Sequence, residues 1–148
     1  MPTEVKEEVK YKELIQKFNE EFWVKRNFSI IDEMIAPNVK CYEAGMEMNS
    51  MEEYKSHAKT WFDAIEDCKF TITNQLVKEN VVVSRFVFEG THTGQLGDLA
   101  PSGKKFKIAS LEVVRFVNDK IAETWSEFDQ LGLMKQLGME LKPKELAQ

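Results

Sequence analysis

The chain has 148 residues, of which 43% are hydrophobic and 30% charged, and its net charge is -5. This length predicts one domain over residues 1–148, and the acidic balance excludes nucleic acid, because phosphate binding needs a basic face. No apolar run approaches the roughly 20 residues of a membrane span, so we expect no membrane contact. The N-terminus lacks the apolar core of a secretory signal, and Cys41 and Cys68 lack metal-ligand spacing. We therefore expect a cytoplasmic protein with two free thiols.

The first half of the chain has the apolar periodicity of helices. Offsets of three and four residues between apolar positions predict helical faces that pack on a core. Pro37 ends the second helix, since the residue before a proline avoids helical geometry. Ser50 and Glu53 form an S-x-x-E pattern, which is typical of a helix start. The predicted helices cover 4–25, 29–35 and 51–65, with a short extended piece at 39–42.

The second half is rich in β-branched and aromatic residues, which predicts strands. Glu79-Asn80 and Asn118-Asp119 read as tight turns, and 95–103 reads as a wider loop. A short final helix is predicted over 131–137, capped by Asp129 at its start and by Gly138 at its end. Helices followed by an antiparallel sheet indicate an α+β fold. The predicted strands cover 70–77, 81–93, 104–117 and 120–128.

Four stretches, in this order and spacing, resemble the SnoaL-like polyketide cyclase family within the nuclear transport factor 2-like fold. The resemblance extends over about 18–138, and it implies a cone-shaped barrel, in which a strongly curved antiparallel sheet is wrapped by N-terminal helices around an apolar pocket. It also implies an intramolecular aldol cyclisation without metal or organic cofactor, and a dimer formed by sheet faces. The stretches are Phe22-Trp23, "IIDEMIAPNV" (30–39), "FEGTHTGQLGDLAPSGKKF" (88–106) and "VRFVNDKIAETWSEFDQLGLMKQLG" (114–138).

The chain departs from the family at the acid/base position. In the family, an aspartate on the last long strand serves as acid/base within a motif resembling His-x-Asp, and these two positions fall on Thr124 and Ser126. Neither side chain can act as the expected base. A third family position, often histidine on the preceding strand, falls on Glu112.

Strand alternation adds to this comparison. If Thr124 and Ser126 face the pocket, Ala122 and Phe128 on the same strand face it too. On the preceding strand, the residues that face inward are then Ile108, Ser110, Glu112 and Val114. Glu112 is then a candidate relocated base, whose pKa an apolar pocket would raise toward neutrality. The alternative is a surface or interface glutamate paired with Lys107 or Arg115, and a β-bulge would reverse the alternation.

Further candidates come from the aromatic residues and histidines. His92, near the wide loop, is either a proton shuttle at the pocket rim or a turn histidine bonded to its neighbours. Tyr42 is either a pocket hydrogen-bond donor or a half-buried core tyrosine. His57 is expected on the surface, and no ligand cluster predicts a metal site. Phe18, Phe22 and Trp61 are expected to line the core and the pocket.

Three functions are compatible with these residues. The first is a cofactor-free cyclase, isomerase or lyase acting on an apolar, polyketide-like carbonyl compound, with Glu112 and His92 in acid/base roles and Ser110, Thr124 and Ser126 in the pocket. The second is a non-catalytic binding or accessory module for an apolar metabolite, which the serine at position 126 favours. The third is a dimerisation module with a filled pocket. All three predict a homodimer through the outer sheet face, where alternation leaves apolar side chains to be covered.

Overall fold

The computed structural model describes residues 3–145, apart from the side chain of residue 4. Its elements form one six-stranded sheet with helices at the N-terminal end and one short helix at the C-terminal end. None of the helices within the described residues is long and apolar enough to cross a membrane. The elements are α1 (Thr3–Phe18), a π-helical segment (Asn19–Val24), α2 (Ser29–Met34), β1 (Ile35–Glu43), β2 (Met46–Met48), α3 (Met51–Ala64), β3 (Ile65–Lys78), β4 (Val81–His92), β5 (Lys105–Val117), β6 (Lys120–Phe128) and α4 (Gln130–Gln136).

The sheet is open, with the strand order β2-β1-β6-β5-β4-β3. All neighbours are antiparallel except β1 and β6, which run parallel. This corrects the expectation of a purely antiparallel sheet. The direction of β1 is free to differ because no hairpin links it to β6, whereas the antiparallel neighbours are joined by short turns or by the 93–104 connection. The α+β fold and the curved sheet with its helices agree with the prediction.

Several helix caps and turns that the sequence predicted are present in the structure. The Ser50 hydroxyl accepts a hydrogen bond from the Glu53 N–H at 3.1 Å, while the Glu53 carboxylate accepts from the Asn49 N–H at 2.8 Å. Asp129 caps α4 by accepting from the Gly132 N–H at 2.8 Å. Asn118 takes a positive φ of 51° in the predicted β5–β6 turn. The bonds from the Glu53 and Gly132 N–H groups each satisfy a donor that the first helical turn leaves without a partner.

Other boundaries differ from the prediction. The first predicted helix is α-helical only to Phe18 and then widens into the π-helical segment, where the Lys25 N–H bonds to the Glu20 carbonyl at 3.0 Å. Strand β3 begins at Ile65, directly after α3, and a bulge near Asp67 interrupts its pairing with β4. The three-residue strand β2 was not predicted, because it is too short to display alternation.

Two groups of buried residues form the core. In the first, helices α1, α2 and α3 pack on the sheet around Phe22, whose ring contacts those of Phe18, Trp23, Phe28, Tyr54 and Phe62. In the second, α4 packs on β3 and β5 through Leu133. Cys41 and Cys68 are free thiols, as predicted.

Candidate active site

A row of polar side chains crosses the inner face of the sheet. Strand pairing places Glu43 beside Ser126, Ser126 beside Glu112, and Glu112 beside Ser84. Ser84 in turn pairs with Gln75, whose amide donates to the serine hydroxyl at 3.2 Å. Directly paired residues lie about 4.5–5.5 Å apart, so the side chains of Glu43, Ser126 and Glu112 form one continuous polar strip.

The strip borders an inner cavity of about 70 Å³ that has largely aromatic walls. A neighbouring cavity of about 40 Å³ shares Trp23, Glu43, Glu112 and Ser126 with it. The remaining polar residues of the inner cavity are Asn19 and Ser110. The aromatic residues are Trp23, Trp61, Phe70, Phe86, Phe88 and Phe128.

A wider groove, which we call the vestibule, lies outside the inner cavity. It has a volume of about 590 Å³ and lies between residues 96–99 and α4. Glu43, Trp61 and Phe128 line both the vestibule and the inner cavity. These three side chains therefore stand at the boundary between the two spaces.

Glu112 is a carboxylate in an enclosed, apolar environment. Its side chain keeps some accessible surface only because it faces the two cavities. Burial, with a further contribution from the negative charge of Glu43, raises the pKa of Glu112 to about 7. Burial penalises the charged form and a like charge adds to that penalty, so this carboxyl exchanges its proton near neutral pH.

Glu43 is bound by His57, which projects from α3. The Glu43 carboxylate contacts Nε2 of His57, and both side chains are largely buried, with exposed fractions of 22% and 17%. An ionised carboxylate only accepts, so Nε2 must carry the hydrogen. The indole Nε1 of Trp61 lies 3.2 Å from the same Nε2 but can only donate, so His57 cannot satisfy both groups. The Trp61 N–H therefore retains donor capacity at the cavity boundary.

Most of the predicted pocket residues line one of these spaces. Ser110 and Ser126 border the inner cavity, Phe18 and Thr124 border the smaller one, and Trp61 stands at the boundary. The Ser110 hydroxyl donates to the Glu127 carbonyl at 3.2 Å, which commits its hydrogen.

Three predicted residues lie elsewhere. Tyr42 is on the outer sheet face, stacked on Trp125 with ring centroids 6.0 Å apart, because its neighbours Cys41 and Glu43 take the inward positions of β1. Phe22 is fully buried in the helical core. His92 is fully buried at the end of β4, where Nδ1 accepts from the Ser102 N–H at 3.2 Å, so it is a loop-anchoring histidine and not a rim residue.

The alternation of inward and outward side chains predicted for β5 and β6 holds around Glu112 and Ser126 but fails near the β5–β6 turn. The pairing register shifts between Arg115 and Phe116, so Ile121, not Ala122, points inward. The bulge lies beyond the pairs formed by Glu112 and Val114, and the inward direction of those two residues is unaffected.

Two residues of the site were missed. His57 was assigned to the surface, although it lies three residues after Tyr54 and four before Trp61, on the same helical face. Glu43 would have been found from the outward direction of Tyr42, because successive residues of a strand face opposite sides of the sheet. Within residues 3–145, no group of three or more His, Cys, Asp or Glu side chains has the arrangement of a metal site.

One family model matches most of the chain. The model of the SnoaL-like polyketide cyclase family matches residues 13–137. A presumed SnoaL-like polyketide cyclase from Jannaschia sp. CCS1 superposes with a TM-score of 0.83 at 15% identity, covering 95% of this chain and 97% of the other. TsrD from Streptomyces laurentii superposes with a TM-score of 0.78 at 22% identity, covering 88% of this chain and 96% of the other.

A presumed polyketide cyclase from Acidithiobacillus ferrooxidans is 27% identical, with a TM-score of 0.75 and coverage of 86% of this chain and 94% of its own. No match was found among curated protein sequences. At these identities the structural matches describe the fold, and the family assignment comes from the match over residues 13–137.

Proposed function

Because this chain belongs to the SnoaL-like polyketide cyclase family, we propose that it is a cofactor-free cyclase, isomerase or lyase acting on an apolar carbonyl compound. One observation carries the proposal, namely the Glu112 carboxylate enclosed in an aromatic cavity beside a second carboxylate. A carboxyl with a pKa near 7 is present in both protonation states at neutral pH, which suits acid/base catalysis.

The proposed chemistry begins at a carbon next to a carbonyl group. The Glu112 carboxylate removes a proton from that carbon, the electron pair of the C–H bond forms a carbon–carbon double bond, and the π pair of the carbonyl moves to its oxygen, which gives an enolate. In a cyclisation, the enolate carbon then attacks a second carbonyl of the same molecule. The proton held by Glu112 passes to the new alkoxide, so the carboxylate is regenerated without any co-reactant.

In this proposal Glu43 and His57 support the base without contacting the reacting carbon. The charge of Glu43 disfavours a second negative charge on Glu112 and so contributes to its raised pKa. His57 binds the Glu43 carboxylate and fixes its direction at the boundary with the vestibule. Such a charge-assisted hydrogen bond holds the carboxylate in one orientation.

The pairing of Ser126 with Glu112 supports a relocated base. Ser126 occupies the position of the family aspartate, and Glu112 is its direct neighbour on the adjacent strand. The carboxylate of this chain therefore lies one strand away from the family position, and it faces the same cavity as Ser126. An aspartate at position 126 would stand between Glu43 and Glu112, and three adjacent carboxylates could not all ionise.

A second candidate is the non-catalytic binding or accessory module. The inner cavity of about 70 Å³ is small beside the roughly 300–1,000 Å³ of ordinary ligand sites. A binding module would hold its ligand mainly in the vestibule, so that affinity would not depend on Glu112. The two candidates differ in the effect of a single substitution.

The deciding experiment measures proton abstraction directly. Wild-type protein and Glu112→Gln are incubated in D2O with a panel of cyclic ketones and 1,3-diketones, and deuterium incorporation next to the carbonyl is followed by NMR. We expect Glu112→Gln to lose the protein-dependent exchange while keeping its fold by circular dichroism. Glu127→Gln, an exposed glutamate on β6, is the matched control. Equal exchange by wild type and Glu112→Gln would refute the assignment.

A further inference from the structure

Asn19 is a buried amide whose role the mechanism above leaves unexplained. It is the first residue of the π-helical segment, is only 8% exposed, and lines the inner cavity. Among residues 3–145, its Nδ2 finds no hydrogen-bond partner. A buried donor without a partner costs free energy, and natural proteins rarely keep one without a use.

The local backbone makes this placement specific. The π-helical segment carries both Asn19 and Trp23 onto the cavity wall, while Phe22, between them, is fully buried in the core. A π-helical turn is rare in proteins. An apolar residue at position 19 would avoid the cost of the orphan donor, so the amide is unfavourable for folding alone.

The charges around the cavity decide what this donor can receive. An amide N–H needs an acceptor, and a ligand could supply a carbonyl or a carboxylate oxygen. Glu43 and Glu112 border the same cavity, so an anionic ligand would be repelled. A neutral carbonyl oxygen is the acceptor that fits both the donor and the two carboxylates.

Cavity size adds a second restriction. The inner cavity of about 70 Å³ has room only for a small group, whereas the vestibule of about 590 Å³ has room for a larger body. The two spaces meet at Trp61 and Phe128. The vestibule wall is largely apolar and includes Met46, Leu96, Leu99, Leu131 and Met134.

We propose that the inner cavity binds the neutral carbonyl head of the substrate, with its oxygen accepting a hydrogen bond from Asn19 Nδ2, while an apolar body occupies the vestibule. This inference rests on the proposed function, since Glu112 would act on the carbon beside that carbonyl. It adds a substrate-binding residue and defines the substrate class as a neutral ketone joined to an apolar body too large for the inner cavity.

The test uses 4-phenylcyclohexanone labelled with 13C at its carbonyl, a saturated ketone with an apolar body, and phenylcyclohexane is the analogue that lacks the oxygen. The full chain carrying Glu112→Gln is the background, so that no turnover is involved. We expect the ketone to bind about tenfold more tightly than phenylcyclohexane, and its bound carbonyl stretch to move to lower frequency. In Asn19→Leu, added to this background, both the preference and the frequency shift should disappear.

Asn19→Asp is a second variant, since it keeps the shape of the side chain but replaces the donor with an acceptor. It should weaken ketone binding further, and Asn19→Leu should not lower the thermal midpoint. The proposal is overturned if the ketone does not bind, or if either variant keeps the preference and the carbonyl frequency of the Asn19 protein. Loss of this assignment leaves the base assignment standing, because deuterium exchange tests Glu112 separately.

Discussion

Glu43 and Glu112 flank Ser126 on a single row of the sheet, although they belong to strands that do not pair with each other. All three residues border the same aromatic cavity. The serine hydroxyl has one hydrogen, so it can donate to only one of the two carboxylates at a time. The row therefore joins two acids of different environment, one bound by His57 and the other enclosed by aromatic walls.

The pH profile of activity should report the state of Glu112. Removal of a C–H proton needs the ionised carboxylate, so kcat/KM should rise with pH and level off above about 7. In Glu43→Gln, a like charge is lost and the pKa of Glu112 should fall, which moves the midpoint of the rise to lower pH. A midpoint unchanged by Glu43→Gln would contradict the coupling between the two carboxylates.

Stability should depend on pH through the same group. The pKa of Glu112 is raised from 4.5 to about 7 on folding, so stability is lost as pH rises from about 4.5 through 7 and then stays level. Glu112→Gln removes this penalty, and at pH 8 it should be more stable than wild type by up to about 3 kcal/mol. The gain should vanish near pH 4. Urea unfolding at the two pH values measures both quantities.

Restoring the family residue should not restore the family chemistry. In Ser126→Asp, a third carboxylate would stand beside Glu43 and Glu112, and the mutual repulsion should raise their pKa values. We expect lower activity at neutral pH and a loss of stability that grows with pH. Ser126→Asn, which has a similar size without the charge, is the control. Higher activity in Ser126→Asp would argue against Glu112 as the base.

The outer face of the sheet should mediate a homodimer, which we propose from its exposed side chains. Leu111 and Trp125 are 55% and 38% exposed, and Trp125 is stacked on Tyr42 across the β1–β6 pair. Leu111→Asp should shift the protein from dimer to monomer in sedimentation at micromolar concentration. Val9→Asp on α1, where the valine is 44% exposed, is the matched control. A wild-type monomer under these conditions refutes the proposal.

The sequence predicted the elements whose signals are local. The structure contains the two predicted helix caps, at Ser50 and Asp129, and the predicted turn at Asn118. Each of these features depends only on residues close to it in the sequence. The inward direction of Glu112 also followed, because alternation along β5 needs only one reference residue.

The residues missed by the sequence depend on contacts between distant segments. Glu43 becomes part of the site through the pairing of β1 with β6, and its partner His57 comes from α3. No short-range pattern encodes a parallel pair between strands so far apart in the chain. Tyr42 was a candidate for the pocket or for the core, and either position would have turned its neighbour Glu43 outward, since successive residues of a strand face opposite sides.

The parallel pairing of β1 with β6 also bears on how the protein folds. Because the two strands come from opposite ends of the domain, the pairing of Glu43 with Ser126 closes a loop that contains most of the chain. Closing a loop of that length costs more conformational entropy than closing a hairpin, so we expect the row of acids to form after the hairpins. A ligand held across this row would slow hydrogen exchange in β1 more than in the β3–β4 hairpin.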